Sequence, residues 1–106
     1  MSTNTEGECN VAVGHTALSA NTTADCNTAI GVKALNTNIT GSTNTAVGFN
    51  AGSAVTTGRY NTFMGGLVGD AITTGSQNIA IGDHALYTNT TGSYNIGLGT
   101  NDVLLK

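Results

Sequence analysis

An asparagine recurs at one fixed interval along almost the whole chain, and this regularity limits the folds that the sequence can adopt. The interval is 17 residues at every step, and a glycine stands four residues after each asparagine. A repeat this short is one structural unit that must stack on its neighbours to bury apolar surface. The asparagines are Asn10, Asn27, Asn44, Asn61, Asn78 and Asn95, and the glycines are Gly14, Gly31, Gly48, Gly65, Gly82 and Gly99.

The repeat makes the 106-residue chain a single repeat domain, residues 1–106. Six units begin at the recurring asparagines, the last unit is incomplete, and residues 1–9 form a partial unit before the first. We count positions in a unit from its asparagine, which is position 0. An aliphatic residue or Met then stands at position 3, an Ala-Leu pair at positions 7 and 8 of most units, and a Thr-Gly corner at positions 13 and 14. Gly52 and Gly69 replace the leucine in the third and fourth units.

The residue content favours an all-β solenoid over a helical repeat, because Gly and Asn at fixed positions in every unit disfavour helices. Each unit is predicted to contain a strand of about five residues, a Gly bend, a second short extended piece around Ala-Leu, and the Thr-Gly corner. Coils of this kind stack at about 4.8 Å. We therefore expect a parallel β-solenoid with an asparagine hydrogen-bond ladder, glycines at special backbone angles and an apolar stripe at position 3. Asparagines that serve only as turn formers are the alternative.

The first strand of each unit looks apolar on both faces, which suggests contact with another copy of the chain. The alanines at position 2 alternate with flanking Thr, Val or Ile residues, whereas a lone coil needs only one buried face. Threefold packing about a central axis is the expected arrangement. On this hypothesis Ala46→Glu should block assembly, because an unpaired charge would enter the layer of small residues.

Charge and polarity exclude several classes of partner. Three basic residues and a net charge of -3 cannot neutralise a nucleic-acid backbone. The polar N-terminus does not read as a signal peptide, and no apolar run reaches transmembrane length. We therefore expect cytoplasmic synthesis, no nucleic-acid partner and no membrane insertion.

The residues that could carry catalysis or bind a metal are scattered over the units. His15 and His84 lie four coils apart, which corresponds to about 19 Å of stacking. Asp83 and His84 are adjacent, so strand geometry would point their side chains to opposite faces. We therefore predict that the chain is not an enzyme and holds neither a metal nor a cofactor.

The two cysteines, Cys9 and Cys26, share position 16 of consecutive units. Stacking would place their Cα atoms about 4.8 Å apart, which is inside the range of disulfides. Cytoplasmic synthesis favours a stacked pair of free thiols. A bridge formed after release, within one chain or between chains, is the alternative.

The opening of each unit resembles the repeats of two kinds of surface projection. The segments Asn27–Gly31 and Asn44–Gly48 are similar to bacteriophage tail-fibre repeats, and this similarity runs from Asn4 to Leu98. A shorter unit with a similar aliphatic-Gly motif builds the β-roll in the head of trimeric autotransporter adhesins. The resemblance implies a homotrimeric, left-handed β-roll or β-helix that serves as a stiff surface projection.

Together these features predict a structural fibre or whisker component of a phage virion, found on the virion or as an extracellular fibre. The expected partners are the chain itself, as a homotrimer and an end-to-end polymer, other virion proteins and host-surface glycans. Tyr60, Tyr87 and Tyr94 could stack on sugar rings if they are exposed.

The alternative function is an adhesin-like, ice-binding or glycan-binding solenoid module that presents regular threonine columns. Recognition of ice requires a flat face with uninterrupted threonines. The column Thr28, Thr45 and Thr62 gives way to Ile79, which disfavours ice binding.

Overall fold

The computed structural model of the chain describes residues 3–100, in which one short strand recurs per unit. Each strand begins directly after the asparagine at position 0 and ends before the glycine at position 4, so it has three residues rather than five. The strands are β1 (Val11–Val13), β2 (Thr28–Ile30), β3 (Thr45–Val47), β4 (Thr62–Met64), β5 (Ile79–Ile81) and β6 (Ile96–Leu98).

The six strands form one parallel sheet in chain order, β1-β2-β3-β4-β5-β6. Each strand pairs with the strand one unit later, and equivalent residues face each other, as Ala29 faces Ala46 between β2 and β3. The connection between paired strands is therefore the remainder of one 17-residue unit. This topology confirms the predicted all-β parallel solenoid with coils of 17 residues.

The Ala-Leu segment of the coil is a sequence of turns, and the second extended piece predicted there is wrong. Lys33 at position 6 and Leu35 at position 8 have φ angles of 61° and 49°, in the left-handed region. Two left-handed residues so close together bend the backbone too sharply for an extended strand. The bends turn Ala34 and Leu35 into the coil, where both are fully buried.

The apolar core lies inside each coil and consists of the side chains at positions 2, 7 and 8, joined at position 11 by Val55 and Ile72 in the third and fourth units. Ala29 and Ala46 on the inner face of the sheet are 0 % exposed, and Leu18 and Leu35 cover them from the opposite wall. Ala46 therefore faces the interior of its own chain and no other copy. A glutamate there would disrupt the coil itself, so the predicted effect of Ala46→Glu on assembly is replaced by an effect on folding.

The glycines at position 4 allow consecutive coils to approach closely. Gly48 has a φ angle of 134°, and a Cβ atom added there would overlap the carbonyl oxygen of Gly65 in the next coil. Both the backbone angle and the lack of space therefore require glycine. This position ends each strand and begins the turns that follow it.

Candidate functional site

The asparagines at position 0 form a hydrogen-bonded ladder along the interior of the solenoid. The Oδ1 atom of each asparagine accepts the backbone N–H of the asparagine one coil later, as from Asn44 to Asn27 at 2.8 Å and from Asn61 to Asn44 at 2.9 Å. The same bond joins every consecutive pair from Asn10 to Asn95, at distances up to 3.0 Å. The ladder thus joins each coil to the next.

The same asparagines also close their own coils across the interior. The Nδ2 atom of Asn44 donates to the carbonyl oxygen of Gly58 at 2.8 Å, 14 residues further along the chain. Asn27 and Asn61 make the equivalent bonds to Gly41 and Gly75, both at 2.9 Å. Because Asn44 is 0 % exposed, these bonds satisfy polar groups that water does not reach.

A second asparagine column, at position 11, supports the Thr-Gly corner. Asn38 donates from Nδ2 to the carbonyl oxygen of Gly41 at 2.8 Å, and Asn21 donates to that of Ala24 at 3.1 Å. The sequence alone places these asparagines in one column, each with Thr two residues later, and this pattern is interpreted only as a by-product of the repeat; their hydrogen bonds to the corner do not follow from it. Val55 at this position in the third unit is also fully buried, so an apolar residue replaces the asparagine there.

Hydroxyl groups at the corner join consecutive coils on the outside of the solenoid. Thr22 donates from Oγ1 to the carbonyl oxygen of Ile39 at 3.3 Å, and Thr56 makes the same bond to Thr73. At position 15, the Oγ atom of Ser42 accepts the backbone N–H of Asp25 at 3.0 Å. The Ser42 hydroxyl supplies a partner for a backbone N–H outside the strands, whereas each threonine hydroxyl adds a second bond to a carbonyl that already accepts the N–H of the same threonine.

The outer face of the six-stranded sheet is an exposed surface without charged side chains, which we call the outer sheet face. It consists of positions 1 and 3 of each unit, where no Asp, Glu, Lys, Arg or His occurs between β1 and β6. The exposed fractions of its large apolar residues range from 38 % for Ile96 to 56 % for Val13. These residues are Val11, Val13, Ile30, Met64, Ile79, Ile81, Ile96 and Leu98.

The predicted apolar stripe at position 3 lies on the outer sheet face and not in the core. The sequence predicts an apolar stripe at position 3, and the structure shows that Ile30 and Ile81 at this position point outward from the sheet. Two further exposed apolar residues, Val32 and Phe49, follow at position 5, after the glycine that ends the strand. Contiguous exposed apolar area of this kind is typical of an interaction site.

The Asp83 and His84 side chains meet, contrary to the expectation that they point to opposite faces. Asp83 Oδ2 lies 3.0 Å from His84 Nδ1, because both residues follow β5 and lie in the turns rather than in the strand. The His84 ring also packs edge-on against Tyr87, with ring centroids 5.6 Å apart. Desolvation raises the pKa of the nearby Asp70 carboxyl, while a backbone hydrogen bond and His84 lower it.

The two cysteines occupy consecutive coils, and both are exposed free thiols. The backbone N–H of Cys26 donates to the carbonyl oxygen of Glu8 at 2.9 Å, so the coils are paired beside them. The pKa of the Cys26 thiol is raised, first by desolvation and then by the neighbouring Cys9. The structure thus places the two predicted residues together.

The three tyrosines are all exposed, but they do not form one group. Tyr60 and Tyr94 stand at position 16, two coils apart, with exposed fractions of 57 % and 72 %. Tyr87 stands at position 9 beside His84 and has an exposed fraction of 40 %.

Within residues 3–100, no group of three or more His, Cys, Asp or Glu side chains could hold a metal ion. In the same range no helix is long and apolar enough to cross a membrane. The strands, the stacked coils and the ladders define a β-solenoid repeat protein. Comparisons with protein-family models, with curated proteins and with solved structures found no match for the chain.

Proposed function

We propose that the chain is a structural segment of a phage fibre, in which three copies pack through their outer sheet faces into a rod. The observation that carries the proposal is the uncharged, apolar character of this face over all six strands. An isolated chain would leave eight large apolar side chains between 38 % and 56 % exposed on one side. Packing against other copies would remove this surface from water.

Identical copies are the occupants that fit this surface best. Sheets pack face to face about 10 Å apart when both faces are apolar and flat, and a second outer sheet face has the required composition. A low charged fraction, 8 % of residues, also limits repulsion between copies. The resemblance of Asn27–Gly31 to tail-fibre repeats supports three copies and a place on a virion.

In an end-to-end stack, the hydrogen bonds of the sheet would continue from one copy of the rod to the next. The N–H at position 1 of each strand donates to the carbonyl at position 0 of the next coil, as from Ile79 to Asn95 at 2.9 Å. The N–H at position 4 donates in the opposite direction, as from Gly99 to Ile81 at 3.0 Å. A second copy placed with its β1 after β6 would continue the same pattern.

Sedimentation equilibrium over a dilution series tests the packing, with Ile81→Glu as the variant and Thr74→Glu as the matched control. Ile81 lies on the outer sheet face, whereas Thr74 lies exposed at the Thr-Gly corner. We expect a mass of three chains for the native sequence and for Thr74→Glu, and a folded single chain for Ile81→Glu. A native chain that stays monomeric at every concentration would refute the proposal, as would an unchanged mass for Ile81→Glu.

A second candidate function is glycan binding at position 16, favoured by the alignment of Tyr60 and Tyr94. Two exposed aromatic rings in one column, about 9.6 Å apart over two coil rises, could stack on alternate sugars of an extended polysaccharide. Gln77 lies between them in the same column and is exposed. Its amide could hydrogen-bond to sugar hydroxyls.

Co-sedimentation with insoluble β-1,4-linked polysaccharide tests this candidate. Tyr60→Ala and Tyr94→Ala should each reduce the bound fraction, because each removes one stacking surface. Tyr87→Ala removes an exposed tyrosine from another column and should bind as the native chain does. Equal binding by all three variants would exclude position 16 as the glycan site.

A further inference from the structure

Cys9 and Cys26 have the same backbone conformation as well as the same place in their units. Both have a φ angle of 57°, and both side chains are exposed to solvent. The backbone N–H of Cys26 donates to the carbonyl oxygen of Glu8, so the two coils are paired next to the thiols. The two cysteines therefore share the same φ angle, and their thiols are accessible to small reagents.

The Cα spacing between stacked coils lies within the range that a disulfide can span. Equivalent residues of adjacent parallel strands have Cα atoms about 4.8 Å apart, and disulfides span about 4.4 to 6.8 Å between Cα atoms. Because the backbone of Cys26 is already paired with the coil that contains Cys9, bond formation requires the two side chains to rotate towards each other.

We propose that Cys9 and Cys26 form a dithiol modification site, which a small-molecule disulfide such as glutathione disulfide oxidises to a bond between consecutive coils within one chain. The thiolate of one cysteine attacks a sulfur of glutathione disulfide and releases one glutathione thiolate. The thiolate of the second cysteine then attacks the protein sulfur of the mixed disulfide and releases the second glutathione. The protein loses two thiol protons and two electrons, and glutathione disulfide is reduced to two glutathione molecules.

The surroundings of the pair make this reaction slow at neutral pH. Desolvation raises the pKa of the Cys26 thiol, and the neighbouring Cys9, Asp25 and Glu8 raise it further. Because the thiolate is the reactive form, the rate increases as the pH rises. The carboxylates also repel anionic glutathione disulfide, so an uncharged reagent such as hydroxyethyl disulfide reacts faster at equal concentration and low salt.

The disulfide would fasten the first described coil to the coil that follows it. It closes a loop over one unit, from Cys9 to Cys26, and it limits the separation of these coils in the unfolded state. The oxidised protein should therefore unfold at a higher urea concentration than the reduced protein. This inference does not depend on the proposed trimer.

Intact mass spectrometry of the full chain tests the site after incubation with glutathione disulfide and alkylation of the remaining thiols. The expected product has the mass of one chain less two hydrogens and carries no alkyl group. Cleavage after Asp25, between the two cysteines, should leave the fragments joined until a reductant is added. Cys26→Ser is the control, and it should stop at one glutathione adduct on Cys9.

Two results would overturn the proposal. Glutathione adducts that persist on both cysteines would show that the sulfur atoms do not reach each other. A product with the mass of two chains, separated by reductant, would show that the thiols pair between chains instead.

Discussion

A Cβ atom on Gly52 would lie 2.7 Å from Cδ2 of Phe63, so the phenyl ring fills space that a leucine fills in other coils. Gly69 lies on the other side of the ring, and a Cβ atom there would be 2.6 Å from Cε1. Phe63 replaces the alanine of position 2, and the two glycines replace the leucine of position 8. The three departures from the repeat therefore compensate one another.

Restoring the repeat at all three positions should recover stability that a single substitution loses. Phe63→Ala leaves a cavity between the two glycines and should cost about 3–5 kcal/mol of unfolding free energy. Adding Gly52→Leu and Gly69→Leu should restore most of it, because Leu35 has a similar left-handed φ at the same position. Urea unfolding followed by circular dichroism measures the difference.

The control for this series is Gly52→Leu in the presence of Phe63, which should lower the unfolding midpoint through overlap of the two side chains. If the triple variant were no more stable than Phe63→Ala, the compensation would not operate through packing.

Removal of one asparagine from the ladder should destabilise the coils on both sides of it. Asn44→Ala deprives the Asn61 N–H of its acceptor and the Gly58 carbonyl of its donor. A buried polar group without a partner costs about 1–3 kcal/mol, so the unfolding free energy should fall by at least that amount. Thr57→Ala, at the exposed corner, is the matched control and should change little.

Hydrogen exchange measures the local effect of the same substitution. The amide of Asn61 should exchange faster in Asn44→Ala than in the native chain, because its hydrogen bond is lost. Unchanged protection of that amide would contradict the role of the ladder.

Two Gly→Ala substitutions compare a glycine that the fold requires with one that it does not require. Gly48→Ala places a methyl group against the Gly65 carbonyl at a positive φ, and it should lower the urea midpoint strongly or prevent folding. Gly66→Ala meets only Asp83 Oδ1, at 3.5 Å, and should be neutral or stabilise by about 0.4–1 kcal/mol. Equal effects of the two substitutions would refute this distinction.

The stability should depend on pH through Asp70, because burial raises the pKa of this carboxyl above 3.8. The folded chain then holds the proton more tightly than the unfolded chain. Protonated Asp70 therefore contributes its full stabilisation of the fold at pH values below the unfolded pKa. It is lost as the pH rises through the folded pKa. Asp70→Asn should therefore unfold at a higher urea concentration than the native chain at pH 7, and at nearly the same concentration below about pH 3.

The sequence predicts the solenoid and the contacts between units because both follow from periodicity. Equal spacing places Asn27 beside Asn44 in any stacked arrangement, and it does the same for the two cysteines. Periodicity cannot give the path of the chain within one unit. The left-handed angles at Lys33 and Leu35 decide that path, and ordinary propensities do not predict such angles in lysine and leucine.

Because periodicity does not give the path of the chain within a unit, it also does not give the direction of the side chains, and two predictions of direction were wrong. A strand of three residues leaves Asp83 and His84 in the turns, where alternation between faces no longer applies. Ile30 points outward because Ala29 takes the inward position of this short strand. Composition indicates that both residues are apolar, but it does not show which of them faces the core.

The joint fit of Phe63 between Gly52 and Gly69 has a consequence for how such a chain can grow by gene duplication. Most units could be copied singly, since each bonds to neighbours that match it, and every added copy would lengthen the solenoid by one rise. The segment from Gly52 to Gly69 cannot be divided in this way. A break inside it would place the phenyl ring against a leucine or leave the glycines facing an empty space, so a duplication that keeps this packing must copy the segment as one block.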